Sequence, residues 1–166
     1  MATPTSLPAS FTAGAVLTAA QMNDLRGAFR VLQVVYGTVD TPVISSTTTY
    51  VDTGLTATIT PSDASSKVLV IVQQNGCGKE AGNSGSELQL QLLRGATQIG
   101  FAAAASTNVS EVNYIGTMGF AILDTPATTS ALIYKTQIKN YVNAASVRVQ
   151  TPTGSRSSII LMEISA

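Results

Sequence analysis

The sequence predicts a mainly β fold: an antiparallel jelly-roll or β-sandwich of about eight strands, preceded by an extended arm and one short α-helix. Alternation is the first observation behind it. Between Tyr114 and Tyr141, Met118, Phe120 and Ile122 fall on one face of one run, and Leu132, Tyr134 and Ile138 on one face of the next. That is the strand period of two. Second, short runs rich in β-branched residues recur along the chain, bounded by Gly, Pro, Asp and Ser. Third, 166 residues with 45% hydrophobic content supply one good core and are too few for two, so the runs belong to one domain.

Taken in order, Met1 to Ser10 carries Pro4 and Pro8 among Thr, Ser and Ala. Such a composition buries too little surface to order alone, so it predicts an arm that orders on a partner. A helix follows, with Thr18 as N-cap, Gln21 completing a capping box, and Leu17 and Met22 placed for a hydrophobic staple. Met22, Leu25, Phe29 and Leu32 recur at spacings of three, four and three, a narrow stripe that docks either on the chain's own sandwich or on a neighbouring subunit. Gly27 within it costs ~1 kcal/mol relative to Ala, so a docking surface is expected to stabilise it. Residues 1–33 therefore form an anchoring arm and helix, with Phe11, Leu17, Met22, Leu25, Phe29 and Leu32 as attachment residues. Residues 34–166 form the head.

From Val31 the pattern turns β-like, with a linker and first strand broken at Gly37 and Pro42, then a strand over Leu55 to Thr60 ended by Pro61 to Ser66. Lys67 to Gln74 is a continuous apolar run. Asn75 to Ser86 is a Gly- and Ser-rich loop, read as a mobile tip and possible ligand loop through Asn75, Lys79, Glu80 and Asn83. Glu87 to Arg94 alternates, and Gly95 to Gln98 begins a tight return into Ile99 to Phe101; a second long loop, Ala102 to Asn113, precedes the central pair. The runs on either side of Asp124 to Ser130 read as a hairpin, its turn marked by Pro126. Ala145 to Thr151, a turn over Pro152 to Arg156, and a terminal strand Ser158 to Ser165 complete the chain. In an antiparallel sandwich with one wet face, Lys67 to Gln74 and Ser158 to Ser165 ought to alternate, yet both are apolar on both faces. Leu69, Ile71, Ile159 and Leu161 are thereby marked as a homotrimer interface, the alternative being cover by the chain's own N-terminal helix and linker.

Formal net charge is zero and only 11% of residues are charged, which leaves no basic field for nucleic acid and no polybasic patch for a membrane. Histidine is absent, removing the commonest general base and the imidazole metal ligand together. A single Cys77 excludes an internal disulfide and a multi-cysteine zinc site. Its place between two glycines and near Lys79 is a setting that modestly acidifies a thiol, although a bystander role fits it better. No Walker loop, Rossmann glycine pattern, His-Glu metal motif or nucleophile elbow is present, so neither enzymatic activity nor a cofactor or metal is expected. Asp52 and Asp63 fit Asx-turn caps. Without a charged N-terminal region followed by an apolar core, the chain is expected to be made as a soluble cytoplasmic protein.

The segment FTAGAVLTAAQMNDL resembles the F/W-x-x-G-x-x-L-T-A-x-x-M/L-N opening of many structural proteins of tailed bacteriophages. The remainder, through YVDTGLTATITPSDASSKVLVIV, LQLLRGATQIG, LDTPATTSALIYKTQI and IILMEI, resembles their small trimeric jelly-roll heads, similar in fold to tumour-necrosis-factor-like and complement globular domains. The resemblance implies a virion location and a homotrimer. It implies a capsid-decorating cement protein partnered by the major capsid protein, or a short tail fibre or tailspike tip partnered by a baseplate or adaptor protein and binding host surface glycan. A glycan-degrading sandwich enzyme is a third reading, disfavoured by the missing histidine.

Overall fold

Alternation along the chain becomes two stacked antiparallel sheets in the computed structural model, which describes residues 31–80, 85–104, 113–142 and 145–165, with isolated positions 14, 16 and 19. Ten strands form among the described residues: β1 (Val31–Val39), β2 (Val43–Ser45), β3 (Val51–Ile59), β4 (Lys67–Lys79), β5 (Leu88–Arg94), β6 (Thr97–Ala104), β7 (Asn113–Asp124), β8 (Leu132–Asn140), β9 (Val147–Val149) and β10 (Ser157–Ile164). One sheet has six strands in the order β1-β10-β4-β9-β2, with β7 also on β4, and the other has four in the order β3-β8-β5-β6. The long strand β4 pairs β7 along nearly its whole length, β10 along its first half and β9 at its end, with bulges in the β7 pairing between Gln74 and Gly78.

The expected hairpin between the two longest alternating runs does not form. β7 pairs β4 in the six-stranded sheet and β8 pairs β3 and β5 in the other, so Asp124 to Ser130 carries the chain from one layer to the other. The alternation is as expected, with Met118 and Tyr134 turned inward, but period two says nothing about which strands pair. Asp124 secures the crossing: its carboxylate accepts from Arg94 Nη1 at 2.7 and 2.8 Å and from the Tyr134 hydroxyl at 2.7 Å. The true hairpin joins β5 to β6 through Gly95, whose φ of 57° suits the tight return expected there.

Two apolar clusters fill the space between the sheets. Leu55, Ile59, Val68, Val70, Val72, Leu92, Tyr134, Ile159 and Leu161 form one, and Cys77, Leu88, Leu90, Met118, Ile138, Val147 and Val149 the other. Between them runs a buried polar layer. The Thr136 hydroxyl donates to Gln74 Oε1 at 2.9 Å and lies 2.5 Å from the Thr53 hydroxyl, while Gln74 Nε2 donates to Ser157 Oγ at 3.0 Å, so the two sheets are tied through satisfied side chains. At one open side β1 crosses β3 at Gly37, where a Cβ would lie 2.3 Å from the Thr56 carbonyl oxygen. Only glycine fits that approach.

The helix expected to end at Leu32 falls outside the described residues except at Ala19 and at its end, where Val31 and Leu32 already belong to β1. β-branched Val31, Val34 and Val35 favour the ladder to β10 over a further helical turn. The loop expected from Asn75 is also shorter, because β4 continues through Lys79 and carries Cys77, Gly78 and Lys79 into buried positions.

Candidate functional site

Strand register lines up the side chains on the outer side of the six-stranded sheet in rows across four strands. Tyr36, Ile160, Ile71 and Ala121 form one row, and Val34, Met162, Leu69 and Leu123 the next. Both rows are wholly apolar. Tyr36 is 63% exposed, Val34 58% and Leu123 53%, while Leu69, Ile71, Ile160 and Met162 are half-buried. Beyond them lie a polar row, Thr38, Ser158, Gln73 and Gly119, and a last row ending on Lys67. Of the residues marked for an interface, Leu69 and Ile71 face outward. Ile159 and Leu161 do not: both are fully buried in the core, because the outward positions of β10 are Ser158, Ile160, Met162 and Ile164.

The same strand hides a carboxylate that the apolar pattern masked. Glu163 shares the inward side with Ile159 and Leu161 and is fully buried. It accepts from Gln33 Nε2 at 2.6 Å, Ser62 N at 2.8 Å and Ser62 Oγ at 2.7 Å, joining β1 and the β3–β4 turn to β10. Burial alone raises the pKa of this carboxyl, but the hydrogen bonds outweigh it and hold the group below the usual carboxylate value.

On the outer side of the four-stranded sheet the chemistry is different. Asp52, Gln137, Gln91 and Phe101 line up across its four strands, and Gln91 Nε2 donates to Gln137 Oε1 at 2.7 Å while Gln137 Nε2 donates to Asp52 Oδ1 at 2.8 Å. Phe101 ends the row half-exposed. Lys135 reaches Asp52 at 2.9 Å, and its hydrogen bond is the main reason that this carboxyl lies below its ordinary range; burial opposes the shift and Gln137 adds to it. Where β3 bulges between Asp52 and Thr56, a shallow hollow of ≈ 210 Å³ opens, lined by Asp52, Gly54, Leu55, Thr56, Lys135 and Thr136. Asp52 is therefore an ion-pair partner and not the expected Asx cap, whereas Asp63 does accept from the backbone and hydroxyl of Ser65 at 2.7 and 2.6 Å.

The first residues of the expected ligand loop are strand, and residues 81–84 of it lie outside the described residues. Asn75 lies in β4, donates through Nδ2 to the Arg156 carbonyl at 2.6 Å and accepts from the Thr117 hydroxyl at 2.6 Å. Lys79 is buried, Glu80 pairs with Arg148, and Asn83 lies outside the described residues. Nor is the Cys77 thiol acidified. It is buried and donates to the Gln74 carbonyl at 3.0 Å, and burial pushes its pKa up to about 12. Of the attachment residues, Phe11, Leu17, Met22, Leu25 and Phe29 lie outside the described residues, while Leu32 is 40% exposed on β1. Among the described residues no three His, Cys, Asp or Glu side chains converge to hold a metal.

No protein-family model matches the chain, and no curated protein sequence does. Among solved structures, it is similar to the crystal structure of the infectious bursal disease virus VP2 subviral particle, with 13% identity and a TM-score of 0.41 over 81% of this chain and 42% of that chain. The chain thus spans less than half the length of that neighbour.

Proposed function

We propose that this chain is a non-enzymatic structural protein of a virion: a homotrimeric, capsid-decorating knob of jelly-roll type, held to the major capsid protein by its N-terminal arm. The observation that carries this reading is the two-faced body, with one outer face apolar over two complete rows and the other lined by an ion pair and hydrogen-bonded amides. A body of that kind is built to be covered on one side and left wet on the other. The resemblance of FTAGAVLTAAQMNDL to phage openings supplies the setting, and the short distance from that segment to β1 at Val31 keeps the knob near whatever surface holds the arm.

A short tail fibre tip is the second reading. It is favoured by the row that carries Asp52 and Gln137 at one end and the half-exposed Phe101 ring at the other, with Gln91 buried between them, which offers a sugar both hydrogen bonds and an apolar platform. Co-sedimentation with undecorated capsids separates the two. Deleting Met1 to Thr18 is expected to leave a folded protein that no longer decorates particles, and Leu25→Asp to do much the same by charging the docking stripe. Full occupancy by the truncated protein would place attachment in the sandwich and end the proposal.

A further inference from the structure

We infer that the hollow beside Asp52 and Lys135, on the outer side of the four-stranded sheet, seats one ring of a neutral sugar whose chain runs on across the sheet to Phe101. The inference rests on the sugar-binding row of the second reading above, and it adds where a ring sits and which sugars it takes.

The hollow is built into the backbone. Asp52 lies opposite Gln137 and Thr56 opposite Lys135, so Thr53, Gly54 and Leu55 of β3 together span a single residue of β8, Thr136. Gly54 takes the left-handed φ of 81° that this bulge requires. Beneath it the Thr53 hydroxyl accepts from Leu55 N at 3.1 Å and lies 2.5 Å from the Thr136 hydroxyl, which braces the bulge in one shape. Its ≈ 210 Å³ is less than the ~300–1,000 Å³ of pockets for drug-sized ligands, a size that suits one ring and not a nucleotide.

The hydrogen-bonding capacity left at the rim names the ligand. Lys135 Nζ lies 2.9 and 3.1 Å from the two Asp52 oxygens, which takes at most two of its three hydrogens. Gln137 Nε2 donates to Asp52 Oδ1 at 2.8 Å and keeps a second hydrogen, while Asp52 Oδ2 keeps a lone pair. The Thr56 hydroxyl donates to the Tyr134 carbonyl at 3.2 Å and keeps its own lone pairs. Donors and acceptors therefore stand side by side, and adjacent hydroxyls, which donate and accept at once, match them. Charge narrows the class further. The ion pair is neutral as a unit, so a carboxylate or an ammonium on the ligand gains at one partner what it loses at the other and gives up its hydration besides. The next cation on this side, Lys139, is drawn to the Tyr50 ring, 4.7 Å from its centroid.

Phe101 gives the chain a second hold. It ends the row through Gln137 and Gln91, three strand spacings or ~14 Å from Asp52, with half of its surface in water. The apolar face of a sugar ring stacks on such a side chain, and a short oligosaccharide covers the distance where a single ring does not.

The test is a saturation-transfer NMR titration of the full chain with neutral tetrasaccharides of glucose, galactose, mannose and N-acetylglucosamine, and with the tetramers of galacturonate and glucosamine as charged analogues. At least one neutral tetrasaccharide is expected to bind, and both charged tetramers at least ~10-fold more weakly. Asp52→Asn and Lys135→Ala are each expected to weaken the neutral ligand at least ~10-fold and Phe101→Ala at least ~3-fold, whereas Tyr36→Ala, on the opposite outer side, leaves it unchanged. All four side chains meet water, so far-ultraviolet circular dichroism should not change. The inference is overturned if no neutral tetrasaccharide binds, if the charged tetramers bind as tightly, or if Tyr36→Ala weakens binding as the other variants do. A glycan that binds but ignores Asp52 and Lys135 removes this seat and leaves the tail-fibre reading standing. A seat that behaves as expected on a protein that co-sediments with capsids keeps the inference and ends that reading.

Discussion

Tyr36, Ile160, Ile71 and Ala121 line up across four strands on one outer side of the sandwich, and Asp52, Gln137, Gln91 and Phe101 do so on the other. Both rows come from period-two alternation over a shared core, yet one is continuously apolar and the other begins with a carboxylate and two amides. In β3 and β8 the outward positions are mostly polar, so the pattern itself separates inside from outside. In β4 and β10 it cannot, because Leu69 and Val70, or Ile160 and Leu161, are equally apolar and only the pairing decides which one meets the core. A doubly apolar strand therefore reveals that a second surface exists without revealing which parity makes it.

The largest effect should separate two adjacent residues of β10. Leu161→Ala, fully buried, is expected to destabilise the fold by ~2–5 kcal/mol through lost burial and the cavity left behind, and outward Met162→Ala by less than ~1 kcal/mol. Urea denaturation measures both. Equal losses would mean that the apolar outer row is as much core as the inner one, and the contrast between faces would collapse.

A middle-sized effect belongs to Glu163. Glu163→Gln replaces one acceptor by a donor facing donating groups of Gln33 and Ser62, and is expected to cost ~1–3 kcal/mol. Because the folded-state pKa is lowered, the carboxylate's contribution is fully present above the ordinary value of 4.5 and is lost as pH falls through the lowered folded value. The urea midpoint of the wild type should thus drop in that acid window, and the drop should shrink in Glu163→Gln. An identical acid profile in the two proteins would remove Glu163 as the clasp.

The smallest effect lies on the polar face. Lys135→Ala leaves Asp52 exposed to water and is expected to change stability by ~0–1 kcal/mol, the range of surface ion pairs. Asp52, whose pKa is lowered chiefly by Lys135, contributes above the ordinary carboxylate value and loses that contribution below it, so the variant should show a slightly flatter acid limb. A loss as large as that of Leu161→Ala would make the polar row a structural element in its own right.

The β class, the inward sides of β7 and β8, the β5–β6 return and the Asx turn at Asp63 were legible in the sequence, because each depends on alternation or on a local turn that a few neighbouring residues specify. The excess of apolar side chains over what one core can hold was legible too, in β4 and β10. Tertiary structure decided the rest. It sent β7 and β8 to different sheets, carried Asn75 to Lys79 into β4, and put Leu32 in a strand. It also turned Ile159 and Leu161 inward with Glu163 beside them, and assembled the Asp52 to Phe101 row from β3, β8 and the β5–β6 hairpin, three parts distant in the chain. The physical reason is common to all of these: alternation fixes which side chains share a face of a strand, whereas the partner of that strand, and so the identity of the face, is set by contacts between residues far apart in sequence.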